Sequence, residues 1–248
     1  MKKYLPTIVG VFAFLLVGNL TFDLYSQNGF QSTTAQLKKE IAALQSELPS
    51  KIDNISTTTG ASFDNDILEY DVELDVTLEN TAATKFQVMQ RNANILAVCL
   101  NPKMVEMLKD IEAIEFNYTL KSTDFKFTNV IGEKDCEPFL SEDKIVIGDY
   151  YIKLQNSSVP LVLDADTNLI EYRRENDRIT LDYQLHSWFL AELDVPYLIN
   201  YVEKDLVPVM CDAPDFRVLS DQGYEIGLRY LDARREMIYS TTILPQDC

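Results

Sequence analysis

The sequence predicts an α+β protein built from two tandem repeats, each ordered α-β-β-α-β-β, with an antiparallel sheet, helices on one face and one disulfide per repeat. Three observations predict it. The four cysteines, Cys99, Cys136, Cys211 and Cys248, form two pairs with the same 37-residue spacing, and the second pair follows the first by 112 residues. Their flanks match, "CLNP" (99–102) with "CDAP" (211–214) and "KDC" (134–136) with "QDC" (246–248). At the same offset Ile114 meets Ile226, Tyr118 meets Tyr230 and Ile131 meets Ile243. Self-similarity at a fixed offset marks a repeat architecture.

Each element follows from a local pattern. Leu37, Ile41, Leu44 and Leu48 recur at helical spacing from Ala35, and Pro49 ends that stripe. Pro160 closes the comparable segment "IGDYYIKLQNSSV" of the second copy. A strand pair follows. "STTTGAS" and "ILEYDVELDVTL" flank the turn "FDND", and "NLIEY" and "RITLDYQL" flank "RREND". Leu68, Tyr70, Val72, Leu74, Val76 and Leu78 alternate with Glu69, Asp71, Glu73, Asp75 and Thr77, giving one apolar and one acidic face. A second helix spans about 84–99, with Phe86, Met89, Ala93 and Leu96 on one side. Its partner spans 194–211, with Asp194 as N-cap, Pro196 in its first turn and Pro208 placed to kink or shorten it. Each copy closes on a second strand pair, about 114–131 and 224–243, with the later turn near Asp232–Arg234. Antiparallel four-stranded sheets covered by helices are the simplest packing.

The domain division that results is 1–26 as a signal peptide or membrane anchor, 27–34 as a tether, 35–136 as repeat 1, 137–144 as a linker and 145–248 as repeat 2. Lys2 and Lys3 precede the apolar run from Ile8 to Val17. That reads equally as a cleaved export signal or as an uncleaved anchor over residues 4–22. Either way the basic start stays in the cytoplasm and the rest crosses the membrane. The repeat favours the pairs Cys99–Cys136 and Cys211–Cys248. Disulfides imply an oxidising compartment. A four-thiolate zinc site is the rival, but structural zinc draws on close cysteine pairs, which the chain lacks. The expected address is the bacterial periplasm, soluble or anchored to the inner membrane.

A formal net charge of −17 excludes nucleic acid as a partner and disfavours anionic lipid surfaces, so the membrane is met only through the N-terminal segment. It favours a protein partner with a basic surface. No cofactor or metal is expected. His186 is the single histidine, beside Ser187 and Trp188 at a strand end, and no G-x-S-x-G elbow occurs. The chain therefore carries no catalytic signature. "DADTN" (164–168) lacks the later glycine and bidentate glutamate of a calcium loop and reads as a turn. Candidate partner-binding residues are the acidic row Glu69, Asp71, Glu73 and Asp75, the aromatic Trp188, and the hairpin-tip arginines Arg234 and Arg235.

The pattern Cys99, Pro102, Leu108, Tyr118, Asp135, Cys136, repeated as Cys211, Pro214, Leu219, Tyr230, Asp232, Asp247, Cys248, resembles tandem copies of a small, uncharacterised bacterial exported single-disulfide domain. The first copy departs from it at Ile111, where the second has Gly223. In location and charge the chain is also similar to periplasmic immunity proteins. The expectation is a non-enzymatic exported protein acting by protein–protein contact, most concretely an immunity or inhibitor protein that neutralises a toxin effector. The alternatives are an envelope-assembly or sensor subunit and, third, a hydrolase.

Overall fold

The computed structural model describes residues 34–248 other than 53–54, 76–79 and 122–124. The expected export segment, all but the last residue of the tether, and the Val76–Leu78 end of the alternating strand lie outside the described residues. Among the described residues no helix is long and apolar enough to cross a membrane. These residues form two units that part between Leu140 and Ser141, within the stretch read as a linker.

Helix α1 (Thr34–Gln45) opens the first unit and buries Leu37, Ile41 and Leu44, the stripe read from the sequence. The sheet runs in the order β1 (Ser50–Lys51), β2 (Ser56–Asp64), β3 (Ile67–Leu74), β4 (Ala113–Leu120), β5 (Lys126–Ile131). Asn65 and Asp66 both have positive φ, 50° and 61°, the geometry a two-residue hairpin turn between twisted strands requires. On β3, Leu68, Tyr70, Val72 and Leu74 are buried while Glu69, Asp71 and Glu73 face the other side. One consequence of the order was not expected. β3 and β4 pair in parallel, Ile67 with Ala113 through Leu74 with Leu120. The sheet is therefore mixed and five-stranded, not antiparallel and four-stranded. The cause is the connection: α2 (Asn80–Cys99) and α3 (Pro102–Met107) carry the chain back across the sheet, and a strand entered after such a crossover runs parallel to the one it left.

The cysteine motifs acquire a local explanation. Cys99 ends α2, Asn101 caps α3 by accepting from the N–H groups of Lys103 (3.0 Å) and Met104 (3.4 Å), and Pro102 stands in its first turn. C-x-x-P is thus one helix ending and the next beginning. At the other end, the Asp135 carboxylate accepts from Gly132 N–H (3.0 Å) and folds the short helix α4 (Glu133–Cys136). It also pairs with Arg91 of α2 at 2.7 Å. Cys136 is thereby turned back towards α2 and joins Cys99.

The second unit repeats this order of pairing. Helix α5 (Lys144–Asn156), capped by Asp143, precedes β6 (Leu161–Val162), β7 (Thr167–Glu175) and β8 (Arg178–Leu185). The sheet order is β10-β9-β8-β7-β6, with β9 (Glu225–Leu231) parallel to β8 and β10 (Met237–Ile243) on the outside. The helix expected over 194–211 is broken into α6 (Val195–Tyr201), a π-helical turn (Val202–Leu206) and α7 (Val207–Asp212), followed by α8 (Pro214–Asp221). Asp194 caps α6 through Tyr197 N–H (3.1 Å), as read. The π turn lies just before Pro208, which has no N–H to give to the preceding turn. The ladder slips one residue there, and Val207 N–H donates to Val202 C=O. Asp247 accepts from Leu244 N–H (2.8 Å), as Asp135 does from Gly132, and Cys248 closes on Cys211.

Gly148, inside α5, is explained by close approach: a Cβ there would collide with the Tyr224 hydroxyl, which donates to Lys144 C=O. Gly148→Ala should lower the stability of this unit by about 1–3 kcal/mol despite alanine's better helix propensity, measured by denaturant unfolding. Cys99→Ser should cost about 2–5 kcal/mol in the same assay, because the 37-residue loop is released in the unfolded chain.

Candidate functional site

Past Leu185 the chain must leave β8 and reach Asp194 at the start of α6, and it does so through Trp188, Phe189 and Leu190. Trp188 N–H donates to Leu185 C=O (3.2 Å), closing a turn, and Trp188 C=O accepts from Ala233 N–H (2.9 Å) on the β9–β10 hairpin. That hairpin has a three-residue loop. Arg235 N–H donates to Asp232 C=O and Asp232 N–H to Glu236 C=O, both at 2.9 Å, with Arg235 in the left-handed region at φ 64°.

Asp232 joins the two loops. It is 1% exposed. Its Oδ1 accepts from the N–H groups of Arg234 (2.8 Å) and Glu236 (2.9 Å), and its Oδ2 from Leu190 N–H (3.3 Å). Burial pushes its carboxyl pKa up, but the N–H groups of Glu236, Arg234 and Leu190, with the Arg234 charge, more than offset that. The net result lies below the ordinary carboxylate value. The Arg234 guanidinium sits 5.0 Å from the centre of the Phe189 ring. Three consecutive large apolar side chains consequently stand in solvent: Trp188 is 41%, Phe189 42% and Leu190 41% exposed. Arg234 borders them and Arg235 follows it in the hairpin loop, both exposed, and neither makes an ion pair among the described residues, whereas Arg91, Arg173, Arg174, Arg178 and Arg229 all do.

The structure thus brings Trp188 and Arg234 onto one surface, with Arg235 exposed in the same hairpin loop as Arg234. The acidic row lies in the other unit. There Glu69 accepts from the Ser62 hydroxyl (3.0 Å), Glu73 pairs with Lys121 (3.2 Å), the Asp71 carboxylate lies over Gly60, and Asp75 is exposed just past β3. His186 is exposed, and its backbone N–H donates to Asp166 C=O (3.0 Å). The segment "DADTN" is a turn: Asp164 Oδ1 accepts from the N–H groups of Asp166 and Thr167, each at 2.8 Å. Among the described residues no group of three or more His, Cys, Asp or Glu is placed to hold a metal ion. Sequence reasoning missed Phe189, Leu190 and the stapling role of Asp232. The available signal was the run W-F-L in a loop too short to turn all three side chains inward.

Fold and surface together define a disulfide-stapled α+β protein with a pre-formed aromatic and guanidinium patch. No family model and no curated protein matches the chain. Among solved structures it is similar to the type II secretion system pilotin AspS of Vibrio cholerae, with 13% identity over 42% of this chain and 90% of that one and a TM-score of 0.34. A protein of Pseudomonas aeruginosa described as secreted shares 15% identity over 44% and 100%, with a TM-score of 0.35. The pilotin EpsS of the Vibrio vulnificus type 2 secretion system shares 10% over 42% and 89%, with a TM-score of 0.36. At these values the likeness assigns neither a family nor a role to this chain.

Trp188 is the single tryptophan, so its fluorescence reports this site alone. The depressed Asp232 pKa means that its contribution to holding the loops together is complete above the ordinary value of 3.8 and is lost as pH falls through the lower folded value. Trp188 emission should therefore shift below pH 3.8, and the same titration of Asp232→Asn should lack that shift. Asp232→Ala should move the emission towards that of a fully solvated indole at neutral pH, with far-UV circular dichroism unchanged.

Proposed function

We propose that the protein is a non-enzymatic exported binding protein of the bacterial envelope, acting by protein–protein contact as an assembly subunit. In this reading the chain is a tandem duplication of an exported single-disulfide α-β-β-α-β-β domain. Two closed disulfides support an oxidising compartment, outside the cytosol. The basic and apolar N-terminal segment supplies the route to it, as a leader or as an inner-membrane anchor facing the periplasm.

One observation carries the reading. Trp188, Phe189 and Leu190 are held out in solvent by a hydrogen-bonded staple, so exposing them is built into the fold rather than a by-product of a loose loop. Tryptophan and arginine dominate the few residues that supply most of the energy at protein interfaces. A patch whose loops are already tied down also loses little entropy on docking. The two arginines make no direct ion pair among the described residues, the Arg234 charge acting on the already hydrogen-bonded Asp232, and they suit carboxylates on a partner beside an apolar pocket. A basic partner face would instead meet the acidic row on β3. An immunity protein would use a surface of the same kind. What separates the roles is the cell: an assembly subunit is needed when no toxin is present.

The test is capture of partners from envelope extract by the full chain. Trp188→Ala and Phe189→Ala should each weaken binding of the captured partner by about 2 kcal/mol or more, roughly 30-fold, measured by calorimetry. Arg234→Ala should weaken it less and reduce its salt dependence. Deleting the gene should produce an envelope-assembly defect without any toxin. A partner held equally by all three variants would refute the docking surface, and a toxin-dependent phenotype alone would favour the immunity role.

A further inference from the structure

The sheet edges are unequal. β1 and β6 are two residues long and offer no template. β5 begins with the exposed Lys126, and its Phe127 packs edge-on against Phe86 of α2 at 6.2 Å. β10 differs: among the described residues it pairs only with β9, and its sequence, Met-Ile-Tyr-Ser-Thr-Thr-Ile, has no charge, proline or glycine. Exposed edges in soluble proteins are usually blunted by lysine, proline or a bulge, because every second residue of an edge turns its N–H and C=O towards empty space. The irregularity in β10 lies between Met237 and Tyr239, at one end, so Tyr239–Ile243 remains a regular edge.

We infer that the β10 edge is a self-association surface that pairs antiparallel with β10 of a second copy of this chain. The strand is self-complementary. With Ser240 on a two-fold axis, Tyr239 faces Thr241 on either side of it, inside the regular part of the edge. This is an aromatic–β-branched pair of the kind that stabilises adjacent strands, and the contact is isologous and closed. Ser240 is exposed and small, while Tyr239 is held on the helix side by donating to Glu203 (3.1 Å), leaving the axis clear. Charge selects the same place. In a chain of net charge −17 the seven residues of β10 carry no charge of their own, and the Glu203 carboxylate beside them is tied to the Tyr239 hydroxyl on the helix side. The remaining long-range repulsion is screened by salt, so the dimer strengthens as ionic strength rises.

This inference is independent of the docking patch. The experiment uses the full chain, exported to its own envelope and oxidised mildly there. Ser240→Cys should give a disulfide-linked species of twice the monomer mass on a non-reducing gel, and Lys153→Cys, exposed on α5, should not. In mild detergent, light scattering should give the wild type a dimer mass that Ser240→Lys, which places two cations on the axis, halves without changing the circular dichroism. A Ser240→Cys protein with both native disulfides mapped intact and no doubled band would overturn the inference. So would a wild type that is monomeric at every concentration and salt, or a Ser240→Cys adduct of another mass, which would give the edge to a different protein.

Discussion

In each unit, the far end of the crossover helix is bonded to the turn that follows the last strand. The helix layer and the sheet meet at this point, and the backbone alone would leave it loose. A parallel pair such as β3–β4 needs a long crossover, and 38 residues separate the end of β3 at Leu74 from the start of β4 at Ala113. Ordering such a connection costs conformational entropy throughout its length. The disulfide reduces the freedom of the unfolded chain, and the Asp135 or Asp247 cap shapes the turn that presents the second sulfur. The Asp-Cys endings are therefore one device, with the carboxylate folding the turn and the thiol locking it.

What the sequence made legible was what local periodicity and covalent spacing encode. Leu68, Tyr70, Val72 and Leu74 alternate because one face of β3 lies against helices, and the burial of all four follows from that alternation alone. The Leu37, Ile41 and Leu44 stripe and the Asp194 cap were readable for the same reason: each is decided within one turn or one strand. The parallel register was not readable, because a strand's alternation is the same whichever way its neighbour runs. The π turn was half readable. Pro208 announces a fault in the helix, but whether the ladder breaks, kinks or slips depends on how the neighbouring layers hold the two halves. The exposed patch was hardest. Trp188 stands out as the single tryptophan, yet its alignment with Arg234, 46 positions later, rests on the Asp232 hydrogen bonds, which have no sequence period.

The two units differ in how they treat a buried tyrosine. Tyr118 on β4 donates to Asn94 of α2 at 2.8 Å, and burial pushes its pKa well above the usual value. At the same 112-residue offset in the second unit stand Tyr230 and Leu206, and the Tyr230 hydroxyl is buried without a hydrogen-bond partner among the described residues. Leu206 ends the π turn. Replacing an amide that satisfied a hydroxyl by a leucine that cannot is destabilising by about 1–3 kcal/mol in a typical core. The second unit thus has an interrupted crossover helix and an exposed aromatic loop where the first has a continuous helix.

Charge is arranged differently on the two sheet faces turned away from the helices. On the first unit's sheet, Glu69, Asp71 and Glu73 of β3 are joined by Glu115 of β4, directly beside Glu69, with Lys121 pairing one of them. On the second unit's sheet, Asp182 is buried between Arg173 (2.6 Å) and Arg229 (3.5 Å), and Arg178 pairs with Glu225 (2.6 Å). That second face neutralises itself, and a buried pair of this sort contributes little net stability because desolvation offsets attraction. It does remove local repulsion. The neutralisation is local to that face: residues 141–248 still carry 20 Asp and Glu against 10 Lys and Arg. The carboxylates nearest the exposed surfaces are instead tied within the fold: Asp232 accepts from Leu190 N–H beside Trp188, and Glu203 from the Tyr239 hydroxyl on β10, so a polypeptide docking there meets carboxylates that already have hydrogen-bond partners.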